Sequence, residues 1–136
     1  MIKGFLKGLK TTFGHQFQKP LTVTYPEQKV ELFDRFRGGP YLLKNEDGTE
    51  KCVACLLCMR VCPSEAISIV PGERENGDKY PEEFVIDYTR CIFCGYCEEA
   101  CPKIAIKLSK NFELAGYERD KMQYDKEQLL KMGEGD

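Results

Sequence analysis

The chain has 136 residues, 20 lysines and arginines against 22 acids, and eight cysteines. A net charge of −2, with no basic stripe and no reader motif, argues against nucleic acid as a partner. No stretch reaches the ~20 apolar residues that span a bilayer. The N-terminus has neither the apolar core nor the cleavage site of a signal peptide, so the cysteines are expected as free thiolates in a reducing compartment and not as a secreted disulfide framework.

Charge is uneven along the chain. Residues 1–20 hold Lys3, Lys7, Lys10 and Lys19 and no acid, whereas residues 111–136 hold seven acids against four bases. A basic head and an acidic tail suit two different surroundings.

Residues 2–17 carry Ile2, Phe5, Leu6, Leu9, Phe13 and Phe17 at the spacing of one helical face, with the lysines mostly off it. This pattern predicts an amphipathic helix that lies on a membrane surface or docks on a partner. Gly4, Gly8 and Gly14 weaken it as an isolated helix. His15, the single histidine, reads as a polar-face residue. Beyond Pro20, Leu21 to Tyr25 reads as a short extended stretch closed by Pro26, and Glu27 to Pro40 as an irregular arm. Within the arm, Arg35-Phe36-Arg37-Gly38-Gly39-Pro40 is basic and turn-rich but lacks the spacing of a nucleotide loop. So long an irregular segment suits a run over another subunit.

Strands are expected at Tyr41–Leu43, Ala66–Val70, Phe84–Ile86 and Ala105–Leu108, with a turn at Asn45–Gly48 and a charged loop over Pro71–Glu83. Between them lie two runs of identical spacing: Cys52, Cys55, Cys58, Cys62, Pro63, and Cys91, Cys94, Cys97, Cys101, Pro102. The offset is 39 residues, and the apolar phase repeats with it, Ala66 matching Ala105, Ile67 matching Ile106 and Ile69 matching Leu108. Each half reads as strand, cysteine loop, short helix, strand. The expected fold is α+β, a pseudo-two-fold repeat over residues 41–110, with an N-terminal helix and arm over residues 1–40 and a strap over residues 111–136. Within that strap Asp125 to Met132 could form a short helix, with Gly133 and Gly135 closing the chain.

The run C-x2-C-x2-C-x3-C-P is an established pattern of bacterial iron–sulfur ligation, and in two-cluster ferredoxins its fourth cysteine serves the other cluster. That pattern assigns Cys52, Cys55, Cys58 and Cys101 to one 4Fe–4S cluster and Cys91, Cys94, Cys97 and Cys62 to the second. Structural zinc sites more often present two cysteine pairs separated by a longer spacer. So small a core leans on such staples, so the iron-free chain is expected to fold poorly. No residue set reads as a catalytic centre. Glu98 and Glu99 read as a solvated face, Phe93 and Tyr96 as packing that shields sulfur, and Gly95 as a point of close backbone approach. Val53, Ala54, Leu56 and Leu57 make the first loop the more apolar one.

The flanks narrow the reading. Lys19 to Glu27, Arg35-Phe36-Arg37-Gly38, the whole second run from Cys91 to Pro102, Asn111-Phe112-Glu113 and Tyr124-Asp125-Lys126-Glu127 resemble the ferredoxin-like subunit of respiratory complex I, the NADH:quinone oxidoreductase. The resemblance spans nearly the whole chain and departs at Gly39-Pro40, where family members often have Arg-His. It implies an electron-transfer subunit of a membrane-bound translocase, carrying two 4Fe–4S clusters that pass electrons toward quinone. It also implies partners in the peripheral and membrane arms, a membrane contact through residues 1–19, and a place on the cytoplasmic or matrix side. The alternatives are the equivalent subunit of a ferredoxin-, F420- or hydrogen-linked complex, or a free soluble two-cluster ferredoxin.

Overall fold

The computed structural model describes residues 2–133; Gly135 lies outside the described residues. Two compact units divide between Leu32 and Phe33.

In the first unit, helix α1 spans Ile2–His15 and none of its residues is buried. The apolar face of Ile2, Phe5, Leu6, Leu9 and Phe13 is exposed along its whole length. Phe13 and Phe17 meet edge to face at 5.2 Å. Thr11 and Thr12 return their hydroxyls to the carbonyls of Lys7 and Gly8, so the polar side satisfies itself locally. Leu21–Tyr25 forms no strand. Leu21, Val23 and Tyr25 are all exposed, and alternation without a pairing edge or a core does not suffice.

The second unit holds five strands and three α-helices among the described residues. Strand β1 (Pro40–Leu42) pairs antiparallel with β4 (Ile106–Leu108), so the strand before the first cysteine run lies beside the strand after the second. Strand β2 (Ile67–Glu73) pairs with β3 (Lys79–Asp87), joining the strand after the first run to the strand before the second. Helices α2 (Leu57–Val61) and α3 (Tyr96–Glu99) follow the first turns of the two runs. This connectivity brings the two distant runs together.

The charged loop expected over Pro71–Glu83 is mostly strand. Pro71 stands opposite Pro81 at a register shift after Val70, where the missing proline N–H groups cost no ladder bond. Only residues 74–78 turn, closed by Arg74 N–H to the Asp78 carbonyl and Gly77 N–H to the Arg74 carbonyl.

Leu42, Ile67, Ile69, Phe84, Ile86, Tyr88 and Ile106 form the core, with Leu129 fully buried among them. Leu129 comes from α4 (Lys126–Met132), which starts at a capping box in which Asp125 and Gln128 each accept the other's backbone N–H. Between β4 and α4 the chain makes one 3-10 turn, Asp120–Met122, then a two-residue strand β5 (Gln123–Tyr124) on β3. The arm contributes too. Gly38 and Gly39 donate their N–H groups to the carbonyls of Ser109 and Asn111, and Gly38, Gly39 and Pro40 are buried. A Cβ on Gly38 would fall 2.5 Å from two carbonyl oxygens. Residues 33–40 therefore pack with the cysteine-bearing unit instead of belonging to a separate arm that ends at residue 40.

Candidate iron–sulfur sites

Each cysteine run needs a loop that turns its thiols inward, and the backbone makes the same turns twice. Ala54, Leu56 and Glu65 have φ of 46°, 63° and 50°; Phe93, Gly95 and Ile104, each 39 residues later, have 54°, 84° and 50°. Left-handed conformations at non-glycine residues cost roughly 1–2 kcal/mol each, so loops that hold several of them are over-determined by their surroundings. The sulfur bonding repeats as well. Ala66 N–H donates to Cys62 Sγ at 3.4 Å and Ala105 N–H to Cys101 Sγ at 3.2 Å.

Two cavities result. One is lined by Cys52, Cys55, Cys58 and Cys101 between walls that include Leu42, Leu56, Phe84 and Ile106. The other is lined by Cys62, Cys91, Cys94 and Cys97 against Pro40, Ile67, Phe93 and Leu108. The fourth cysteine of each run thus lies in the cavity of the other run's first three.

Burial pushes the thiols of Cys58 and Cys97 up to about 12, with neighbouring Cys52 and Cys91 adding to the effect. Burial likewise raises Cys52 and Cys91. Cys62 differs. Burial raises it, but hydrogen bonds from the Ser64 hydroxyl, 3.5 Å away, and from backbone N–H groups including that of Ala66 outweigh this and lower its pKa. Buried thiols this hard to ionise require a cationic partner before they become thiolates. The donors surround a volume and not a point: no three Cys, His, Asp or Glu side chains among the described residues converge on a single ion. Four soft donors spread around an apolar cavity fit a cluster with one thiolate on each iron.

The residues around the runs are more engaged than their sequence suggested. Glu98 and Glu99 are not simply a solvated face. Glu98 Oε2 accepts the Leu108 N–H at 3.1 Å, tying α3 to β4, and Glu99 Oε1 pairs with Arg37 at 3.3 Å. Phe93 stacks on Tyr88 with centroids 6.3 Å apart, whereas Tyr96 is exposed. Tyr88 donates its hydroxyl to the Pro40 carbonyl, fixing the start of β1. Arg37, which its sequence placed only in a basic patch, reaches the second run and donates to the Cys94 carbonyl. No periodicity could have paired residues 57 positions apart. His15 meets Gln18 at 2.8 Å on exposed helix surface, away from any cysteine in sequence.

Mixed helix and sheet around two four-cysteine cavities define a 4Fe–4S dicluster protein, and the 4Fe-4S dicluster domain family matches residues 51–105. NADH-quinone oxidoreductase subunit I 2 of Geobacter metallireducens is 45% identical over 130 residues, which is 96% of this chain and 98% of that protein. NADH-quinone oxidoreductase subunit I of Pseudomonas savastanoi pv. phaseolicola is 48% identical over 96% of this chain and 71% of its own. The chain belongs to the NADH-quinone oxidoreductase subunit I family, and carries its two 4Fe–4S clusters. Among solved structures, the membrane-bound sulfane sulfur reductase, an archaeal respiratory membrane complex, contains a chain similar at 30% identity with a TM-score of 0.55. The match covers 84% of this chain and 58% of that one.

Proposed function

We propose that the chain is the electron-transfer subunit of a membrane-bound NADH:quinone oxidoreductase, holding two clusters in series on the path toward quinone. The observation that carries this is the pair of cavities, each lined by three cysteines of one run and the last of the other. Cys52, Cys55, Cys58 and Cys101 hold one cluster; Cys91, Cys94, Cys97 and Cys62 hold the other. The bound clusters supply one-electron redox chemistry. The chain's own residues do the rest. The thiolates fix the sites, the core residues that wall them keep water out, and the crossed cysteines hold the two sites at one separation. The two halves are related by a pseudo-two-fold axis, a reading supported by the paired left-handed residues and the paired N–H to sulfur bonds.

Residues 1–32 act as membrane or partner contact, residues 33–110 as the cluster-bearing domain and residues 111–136 as a strap. The exposed apolar face of α1 beside its lysines supports contact of residues 1–19 with a membrane surface. No helix is long and apolar enough to cross a membrane among the described residues. The protein sits peripherally on the cytoplasmic or matrix side, against subunits of the peripheral and membrane arms.

The archaeal reductase chain favours a second reading, the equivalent subunit of a related respiratory complex with another donor. Purification of the native assembly from gently solubilised membranes tests both. Co-purification with an NADH-oxidising module and two clusters' worth of iron and sulfide is expected. Co-purification with a different donor module selects the second reading, and an unassociated soluble protein overturns both.

A further inference from the structure

The ligand assignment makes no use of the Arg-Phe-Arg-Gly segment ahead of β1, yet Arg37 grips the second cysteine loop. Its Nη1 donates to the Cys94 carbonyl and its Nη2 to Glu99 Oε1 at 3.3 Å. Its Nε lies 3.1 Å from where a Cβ on Gly95 would sit, so the glycine leaves room for the guanidinium against the backbone. The arm beneath it is held by Gly38 N–H on the Ser109 carbonyl at 2.9 Å, with no space for a side chain at Gly38.

The first loop cannot be gripped this way. Thirty-nine residues earlier, the position of Gly95 is Leu56, whose side chain would occupy the seat, and the position of Glu99 is Arg60, which would repel a guanidinium. The two loops share their backbone turns and differ in this clamp.

We propose that Arg37 is a positioning residue for the second site, and that the Arg37–Glu99 pair sets that cluster's reduction potential relative to the first. This rests on the assignment of Cys91, Cys94 and Cys97 to a cluster. Reduction adds one electron, supplied by the upstream redox centre of the complex, and makes the site more negative. A guanidinium hydrogen-bonded to the loop favours the reduced state; a carboxylate opposes it. Both side chains are more than half exposed, so solvent screens the effect and keeps it modest.

The test is an EPR-monitored redox titration of the intact membrane complex, with Cys94→Ser marking which signal belongs to the second loop. Arg37→Gln is expected to weaken reduction of that cluster by up to about tenfold, 59 mV for a one-electron couple, leaving the other unmoved. Glu99→Gln is expected to shift it the opposite way. Arg37→Lys, which keeps the charge and loses the fork, should recover part of the shift. A purely structural clamp would move the potential in the same direction whichever partner is lost, because either loss admits water. Same-direction shifts, or unmoved potentials in complexes with full iron and sulfide, overturn the proposal. Should Arg37→Gln lose the second cluster, Glu99→Gln decides alone: a raised potential supports it, and a lowered or unchanged one overturns it. A Cys94→Ser complex that keeps both cluster signals unchanged would instead overturn the ligand assignment.

Discussion

The two cysteine loops share one backbone and have different surroundings. Both place left-handed residues at the same three positions and both aim a backbone N–H at their last sulfur. The first surrounds these turns with Ala54, Leu56 and Leu57, and the distant charge that reaches it, Arg90, donates only to the Glu65 carbonyl beyond the last cysteine, at 3.5 Å. The second has Phe93 stacked on Tyr88, Gly95 under Arg37, and Glu98 and Glu99 tied to β4 and the arm. Ligand geometry is therefore a property of the repeat, whereas the electrostatic setting is a property of each half. The repeated cysteine spacing carries the first; unlike residues at matched positions, such as Leu56 against Gly95, carry the second.

Removing iron should have the largest effect, because it strips the cross-links from both loops at once. Without iron, the thiols of Cys58 and Cys97 stay protonated in the folded chain up to about pH 12, whereas an ordinary cysteine ionises near 9.0. Between those values the folded state binds more protons than the unfolded one, so stability falls as pH rises. Circular dichroism of the iron-free chain should show less helix and strand than the loaded chain, with further loss of what remains from about pH 9 upward. A native-like spectrum that stays flat over that range would place these thiols in water, not in formed cavities.

Next in size is Phe93→Ala, which removes the ring that stacks on Tyr88 and lines the second cavity. A loss of about 2–3 kcal/mol is expected, below the full cost of a buried aromatic because Phe93 is only half-buried. It is read as the urea midpoint for cluster bleaching. Its counterpart Ala54→Gly should change that midpoint much less, since glycine relieves the positive φ that alanine must bear. The smaller pair is Gly95→Ala and Leu56→Gly. Alanine at φ 84°, against Arg37, should cost about 1–2 kcal/mol. Leu56→Gly should cost less, because relief of φ 63° offsets lost packing. Equal effects within either pair would show that the two loops are held alike after all.

The sequence disclosed what repeats and concealed what does not. Eight cysteines at a 39-residue offset, with Ala66 and Ala105 in phase, were enough to anticipate four strands and two sites. The length of the β2–β3 hairpin was hidden because Pro71, Gly72, Gly77 and Pro81 read as a charged loop; Pro71 and Pro81, opposite one another at a bulge, break nothing. Strand β5 is two residues long, too short for any period, and exists only because β3 offers an edge. The cap of α4 was readable, Asp125 and Gln128 having capping-box spacing, but the burial of Leu129 was not, since a polar tail gives no sign of what it covers. Arg37 lay in a segment that looked outward; only the docking of Gly38 and Gly39 on the Ser109–Asn111 backbone turns it toward Cys94.

The crossing of the fourth cysteines is the centre of the account, and Cys62→Ser in the intact complex tests it most directly. EPR spectra of this variant are compared with those of Cys94→Ser and Cys55→Ser, which mark the second and first loops. Cys62→Ser should perturb the same signal as Cys94→Ser and spare the one lost in Cys55→Ser. Perturbation of the Cys55 signal instead would mean that each run binds its own cluster, and would contradict the crossed arrangement.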